Sequence, residues 1–230
     1  MPCFINYLET WELTKSAIDS LGKVNLIVID NESNLAGGYL REVADTYIRN
    51  QTNLGYARAV NQGLALAKTD FIAIVNNDTR VSPNWQEVAQ EVFMNPDTYS
   101  CHFRMTNYEV PFEYGKTILY SGKERWCTSS FFVINTQKMK FFYDENYFNT
   151  CDDWDYWKQV RLSGLKTAYT DLACYQHKHS HTQQQIPERI ENDKKNREYF
   201  KQKWGMYPEE DFAKQYPLQM KINYWDGFAI

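Results

Sequence analysis

Apolar and polar positions alternate along the first half of the chain with two distinct periods. "PCFINY", "VNLIVID", "DTYIRN" and "FIAIV" (residues 71–75) are short apolar or β-branched runs ended by polar residues, the pattern of buried strands. Between them, "TWELTKSAIDSL" places Leu13, Ala17, Ile18 and Leu21 on one helical face, and "ARAVNQGLALAK" does the same with Ala57, Val60, Leu64 and Ala67. Ser82 and Pro83 have the form of a helix start, a capping residue followed by proline, and Trp85, Val88, Ala89 and Val92 then follow at helical spacing. The order reads βαβαβ and predicts an α/β domain with a mostly parallel sheet sandwiched by helices.

The second half is less regular. Residues 96–126 show no clean period, and Pro96, Pro111, Gly115 and Gly122 punctuate them, so loops and short strands are expected there. "SSFFVIN" reads as a strand, and "CDDWDYWKQVRLSG" as a helix with acids at its start and Gly164 as its stop. From residue 186 the chain is charged and helical, so the expected division is a domain over 1–185 with a helical extension, 186–230, packed on it.

An open α/β sheet keeps its ligand site outside the carboxyl ends of its strands, and two carboxylates fall there. Asp30 ends "VNLIVID", while Asn76, Asn77 and Asp78 follow "FIAIV". No G-x-G-x-x-G follows the first strand, which excludes the common dinucleotide fingerprint.

Composition narrows the classes further. At 230 residues the chain can bury a sizeable core, and its formal charge of -4 makes nucleic acid an unexpected partner. The five cysteines are scattered without a C-x-x-C pair, which suggests neither a disulfide framework nor a cysteine zinc site and fits a reducing cytoplasm. No run approaches the roughly 18 apolar residues of a membrane span, and "MPCFINYLE" lacks the pattern of a signal peptide, so a cytoplasmic protein is expected. Aromatics reach 16%, which suits either an aromatic-rich core or a carbohydrate site.

Four stretches, "INYLETWELTKSAIDSL", "VIDNES", "NLGYARAVNQGLALAKTDFIAIVNND" and "YDENYFNTCDDWDYWKQVRLSG", resemble in order the signatures of family-2 glycosyltransferases of the GT-A fold, nearest the rhamnosyltransferase-like branch. The resemblance runs from residue 3 to about 182. It implies inverting transfer of a sugar from a nucleotide-diphosphate donor (UDP-, GDP- or dTDP-sugar) to a hydroxyl of a glycan, lipid-linked or protein acceptor. It also implies Mn²⁺ or Mg²⁺, with Asp78 as a metal ligand and His177 of "HKHSH" as a further one.

By the same resemblance, Asn6, Tyr7, Asp30, Asn53, Gly55, Arg58, Asn76 and Asn77 fall on the donor. Asp153 matches the general base beside Asp152, and Trp154 is placed to stack on an acceptor ring. The residues also allow other roles. Asp30 could cap the "DNES" turn, Asn76 and Asn77 could form a plain turn, and the acids at 152, 153 and 155 could answer a helix dipole. His177, His179 and His181 share one side of an extended segment and could equally be a zinc site or a solvated strand. Where a metal element usually carries two acids, "NND" keeps one. That motivates a rival expectation, a catalytically idle nucleotide-sugar or glycan-binding module. The basic and aromatic tail motivates another, a transferase acting on a modified nucleobase.

Overall fold

Parallel strands need a crossover to return the chain to the same edge, and in the computed structural model, which describes residues 1–120, 129–178, 186 and 188–215, helices supply it. β1 (Pro2–Cys3), α1 (Leu8–Ser20), β2 (Ile27–Asn31), α2 (Gly37–Val43) and β3 (Thr46–Asn50) build a three-stranded parallel sheet in the order β1-β2-β3. Within it Ile29 lies between Pro2 and Ile48. α2 was not among the helices expected from the sequence. It is a single short helix that buries Leu40 alone.

The chain then continues through α3 (Tyr56–Ala65), β4 (Phe71–Val75), β5 (Thr79–Val81), α4 (Trp85–Phe93), β6 (Thr98–Asn107), β7 (Ile118–Leu119) and β8 (Phe131–Asn135). It ends with α5 (Asp152–Leu162), β9 (Lys166–His177), α6 (Arg189–Trp204) and α7 (Pro208–Gln215). A second, mixed sheet runs β4-β8-β6-β9-β5, with β7 also on β9. Here β6 and β9 are parallel, whereas β4 and β6 both run antiparallel to β8. The α/β class is the expected one, with parallel pairing confined to β1-β2-β3 and β6–β9.

The expectation for residues 96–126 needs correction. They hold β6, a ten-residue strand buried from Thr98 to Phe103. Tyr99, Cys101, Phe103 and Met105 do alternate with Ser100, His102, Arg104 and Thr106. The polar half of that alternation is itself buried, and Ser100 Oγ and His102 Nε2 satisfy one another at 3.0 Å. Residues 121–128 lie outside those described. The helix expected from Pro83 starts at Trp85, because Ser82 is bound to β9: its N–H donates to Cys174 O and its hydroxyl accepts from Cys174 N.

The mixed sheet divides the core in two. On β8, Phe131 and Val133 face Trp85, Val88 and Val92, while Phe132 and Ile134 face Val60, Leu64 and Trp157. Fully burying each such side chain contributes about 1.5–3 kcal/mol, so this strand fixes the positions of α4 on one face and of α3 and α5 on the other. Among the described residues no helix is long and apolar enough to cross a membrane; Cys3, Cys151 and Cys174 are buried and free, and Cys101 is buried in β6.

Candidate active site

The turn after β4 is built by β8. Asn76 N–H donates to Ser130 O at 2.8 Å, and Thr79 N–H closes the turn on Asn76 O. Asn77 Nδ2 reaches Thr14 Oγ1 of α1 at 3.0 Å. Asp78 is buried, and because Thr79 pairs with His177 across β5 and β9, its Oδ1 comes within 3.1 Å of His177 Nε2. The other ring nitrogen, Nδ1, lies 3.2 Å from Ser130 Oγ, a hydroxyl that can donate or accept. Asn76 Oδ1 is buried and has no hydrogen-bond partner among the described residues.

The second acidic group sits at the start of α5. Asp153 N–H donates to Asp152 Oδ1 and Trp154 N–H to Asp153 Oδ1, each at 2.9 Å, so each carboxylate caps the amide after it. Asp152 Oδ2 is buried with no partner among the described residues. Burial, and then the charge of Asp153, pushes the Asp152 carboxyl well above the usual carboxylate range, and burial pushes Asp153 upward as well. Asp155 faces the other way. It is fully buried and taken up by Trp204 Nε1, Lys203 Nζ, Gln159 Nε2 and the Tyr147 hydroxyl.

Tyr56, the first residue of α3, joins the two groups. Its N–H donates to Asn149 Oδ1 and its hydroxyl to Ser129 O, each at 2.7 Å. Burial, followed by the negative charges of Asp152, Asp153 and Asp78, raises its phenol well above the ordinary value. One tyrosine is therefore close enough to all three carboxylates to feel them. Neither it nor Ser129, Ser130 and Asn149 was singled out from the sequence, although each adjoins a motif residue or opens a recognised strand.

The remaining expected residues are placed as follows. Asp30, wholly buried at the end of β2, accepts from Ser33 N–H at 2.8 Å, from the Tyr47 hydroxyl at 2.6 Å and from Arg49 Nη1 at 2.5 Å, so it caps the "DNES" turn and anchors β3. Asn6 Oδ1 accepts from Asn34 N–H, and Tyr7, at the start of α1, is exposed. Asn53 Oδ1 accepts from Gly55 N–H, and Asn31 Nδ2 donates to Gly55 O. Gly55 has φ +84°, and a Cβ there would meet Phe148 Cδ2 at 2.9 Å, so this turn packs directly on the segment leading to α5. Arg58 is held loosely, 3.7 Å from Glu145, with both side chains about half exposed. Trp154 packs on Phe212 of α7 with ring centroids 5.8 Å apart. His179 and His181 lie outside the described residues.

The ends of β2 and β4 thus meet the start of α5 at one edge of the sheets, in the α/β architecture of GT-A glycosyltransferases. The crystal structure of S. aureus TarS 1-349 has a TM-score of 0.57 at 12% identity, covering 76% of this chain and 58% of that one. The same protein in complex with UDP gives 0.58 at 10% identity, over 98% and 78%. The mannosyltransferase PcManGT from Pyrobaculum calidifontis, in complex with GDP-Man and Mn²⁺, gives 0.55 at 12% identity, over 75% and 54%. At these identities the likeness is one of fold, and the chain spans little more than half of two of these structures. The family follows from the sequence: the model of glycosyl transferase family 2 matches residues 1–162, and the chain belongs to that family. The match does not reach a branch within it, and a comparison with curated proteins finds no match.

Proposed function

We propose that the protein transfers a sugar from a nucleotide-diphosphate donor to an acceptor hydroxyl with inversion, and that Asp153 is the general base. The observation that carries this reading is the gathering of Asp152 and Asp153 with the Asp78–His177 pair around Tyr56. The acceptor oxygen attacks the anomeric carbon and gives its proton to Asp153. The bond from that carbon to the diphosphate oxygen breaks on the opposite face, and the nucleoside diphosphate leaves with the electron pair. A carboxylate whose proton affinity is raised by burial suits that task near neutral pH.

Asp78, in the turn that also carries the buried, unpartnered Asn76 Oδ1, and His177 fit a divalent cation that completes its shell with donor oxygens. Among the described residues no group of three or more His, Cys, Asp or Glu is placed to hold a metal ion, so Asp78 and His177 are the two such ligands proposed from the protein. When bound, Mn²⁺ or Mg²⁺ would supply positive charge against the departing diphosphate. UDP and GDP-Man in the solved neighbours support a nucleotide-sugar donor. Asp30, Asn53 and Gly55 mark the proposed place for its nucleoside, with Asn6, Tyr7 and Arg58 at its rim.

The test is a thermal-shift panel of UDP-, GDP- and dTDP-sugars with and without Mn²⁺, followed by NMR of the product's anomeric configuration. Inverted product supports the proposal. Donor binding with neither transfer nor donor hydrolysis returns the chain to the idle binding module, and retained configuration removes Asp153 from its role.

A further inference from the structure

α6 lies wholly beyond the family match, which ends at residue 162, yet it is bonded to the backbone that presents the acids of α5. Asn196 is 4% exposed. Its Nδ2 hydrogens are shared among Thr150 Oγ1 at 2.8 Å, Phe148 O at 2.9 Å and Thr150 O at 3.1 Å, and its Oδ1 accepts from Phe148 N–H at 3.3 Å. Every polar atom of that side chain is spent on two residues, Phe148 and Thr150, which flank Asn149. An apolar side chain would pack there without the desolvation cost of an amide, so packing alone does not account for asparagine at this position.

The segment it grips does not hold itself. Asn149 and Cys151 both occupy the left-handed region, with φ of 61° and 62°, where residues other than glycine are strained. Cys151 is also the cap position of α5 and makes no side-chain capping bond. One turn further along, α6 takes hold again, through Lys203 and Trp204 on Asp155. The orientation of Asp152 and Asp153 is therefore bracketed on both sides by α6.

We infer that Asn196 is a positioning residue for the acids at the start of α5, and that α6 is part of the catalytic unit. This rests on the proposed transferase function. Asn196→Ala removes the grip. Asn196→Asp keeps the shape but replaces the donors with an acceptor. Thr150→Val is a milder cut that removes one acceptor and keeps the rest. Asp211→Asn is the comparison, since it removes the charge and one acceptor oxygen from the buried bonds that Lys158 and Arg161 of α5 make to α7 and leaves every bond of Asn196 in place.

Measured well below each melting temperature, both Asn196 variants should lose tenfold or more in kcat. Donor Kd should stay within about twofold at full calorimetric stoichiometry, with Thr150→Val showing a smaller loss of the same kind. Hydrogen exchange across residues 147–155 should quicken in the Asn196 variants and not in Asp211→Asn, whose melting temperature falls while its kcat holds. The inference is overturned if Asn196→Asp keeps kcat within twofold, if kcat and donor affinity fall together, or if exchange across 147–155 is unchanged. Should the unsubstituted protein transfer no sugar, the proposed function falls, and the exchange comparison alone decides the positioning claim.

Discussion

Asp152→Asn should make the protein more stable at neutral pH and leave it unchanged in acid. Asp152 Oδ1 accepts the Asp153 amide, but Oδ2 is buried without a partner among the described residues, and the Asp153 charge lies alongside. The folded state therefore favours the protonated carboxyl. Below the unfolded value, near 3.8, both states are protonated and no difference arises. Above it the unfolded chain loses the proton while the native state keeps it, so stability falls as pH rises toward the folded value. Asparagine puts an equally buried amide at this position at every pH, so the gain comes only from the ionisation that the unfolded parent enjoys and the variant lacks. A rise of even one unit in the folded carboxyl is worth about 1.4 kcal/mol, which gives a gain of about 1–2 kcal/mol at pH 8. For a chain of this size that is a rise of roughly 2–8 °C in melting temperature. Calorimetric melting of both proteins at pH 4, 6 and 8, without donor or metal, measures it. A gap that does not widen with pH, or a variant less stable at pH 8 than its parent, would refute the reasoning.

Asp153→Asn should lower kcat by about 10² or more with donor affinity nearly intact, because the base serves the acceptor; steady-state kinetics beside calorimetric donor titration checks this, and near-normal turnover would remove Asp153 from the role. Asp78→Ala should weaken donor binding in Mn²⁺ and flatten its dependence on the metal, read by titrating the nucleotide sugar at several Mn²⁺ concentrations; an unchanged dependence places the cation elsewhere. Gly55→Ala should cost about 2–3 kcal/mol, since it combines a left-handed φ with a Cβ only 2.9 Å from Phe148. Urea unfolding measures that loss, and a change under about 0.5 kcal/mol would mean that Phe148 moves aside freely.

Elements whose burial follows their period were legible in the sequence. In α4, Trp85, Val88, Ala89 and Val92 are all buried as their spacing requires, and α5 ends at a left-handed Gly164. β6 was lost because its polar residues are buried too, so that neither a continuous apolar run nor a wet face announced it. Asp78, His177, Asp152 and Asp153 could be named from their motifs, but the contact between Asp78 and His177 depends on the β5–β9 register, and β5 was not expected at all. Tyr56 and Asn196 act through backbone atoms distant in sequence, Ser129 O and Phe148 O among them, and no local pattern encodes such partners.

The consecutive residues Ser129 and Ser130 have a consequence for recombination. Ser129 receives Tyr56, Tyr143 and Trp157, the surroundings of the proposed base, while Ser130 receives Asn76 and lies against His177, the surroundings of Asp78. The two halves proposed for donor and acceptor therefore share a single seam and are not interchangeable modules. A hybrid joined between residues 78 and 129 would inherit both serines from one parent and Asn76 and Tyr56 from the other. A workable exchange has to carry the opening of β8 together with the "NND" turn and the start of α3, although about fifty residues or more of chain separate them.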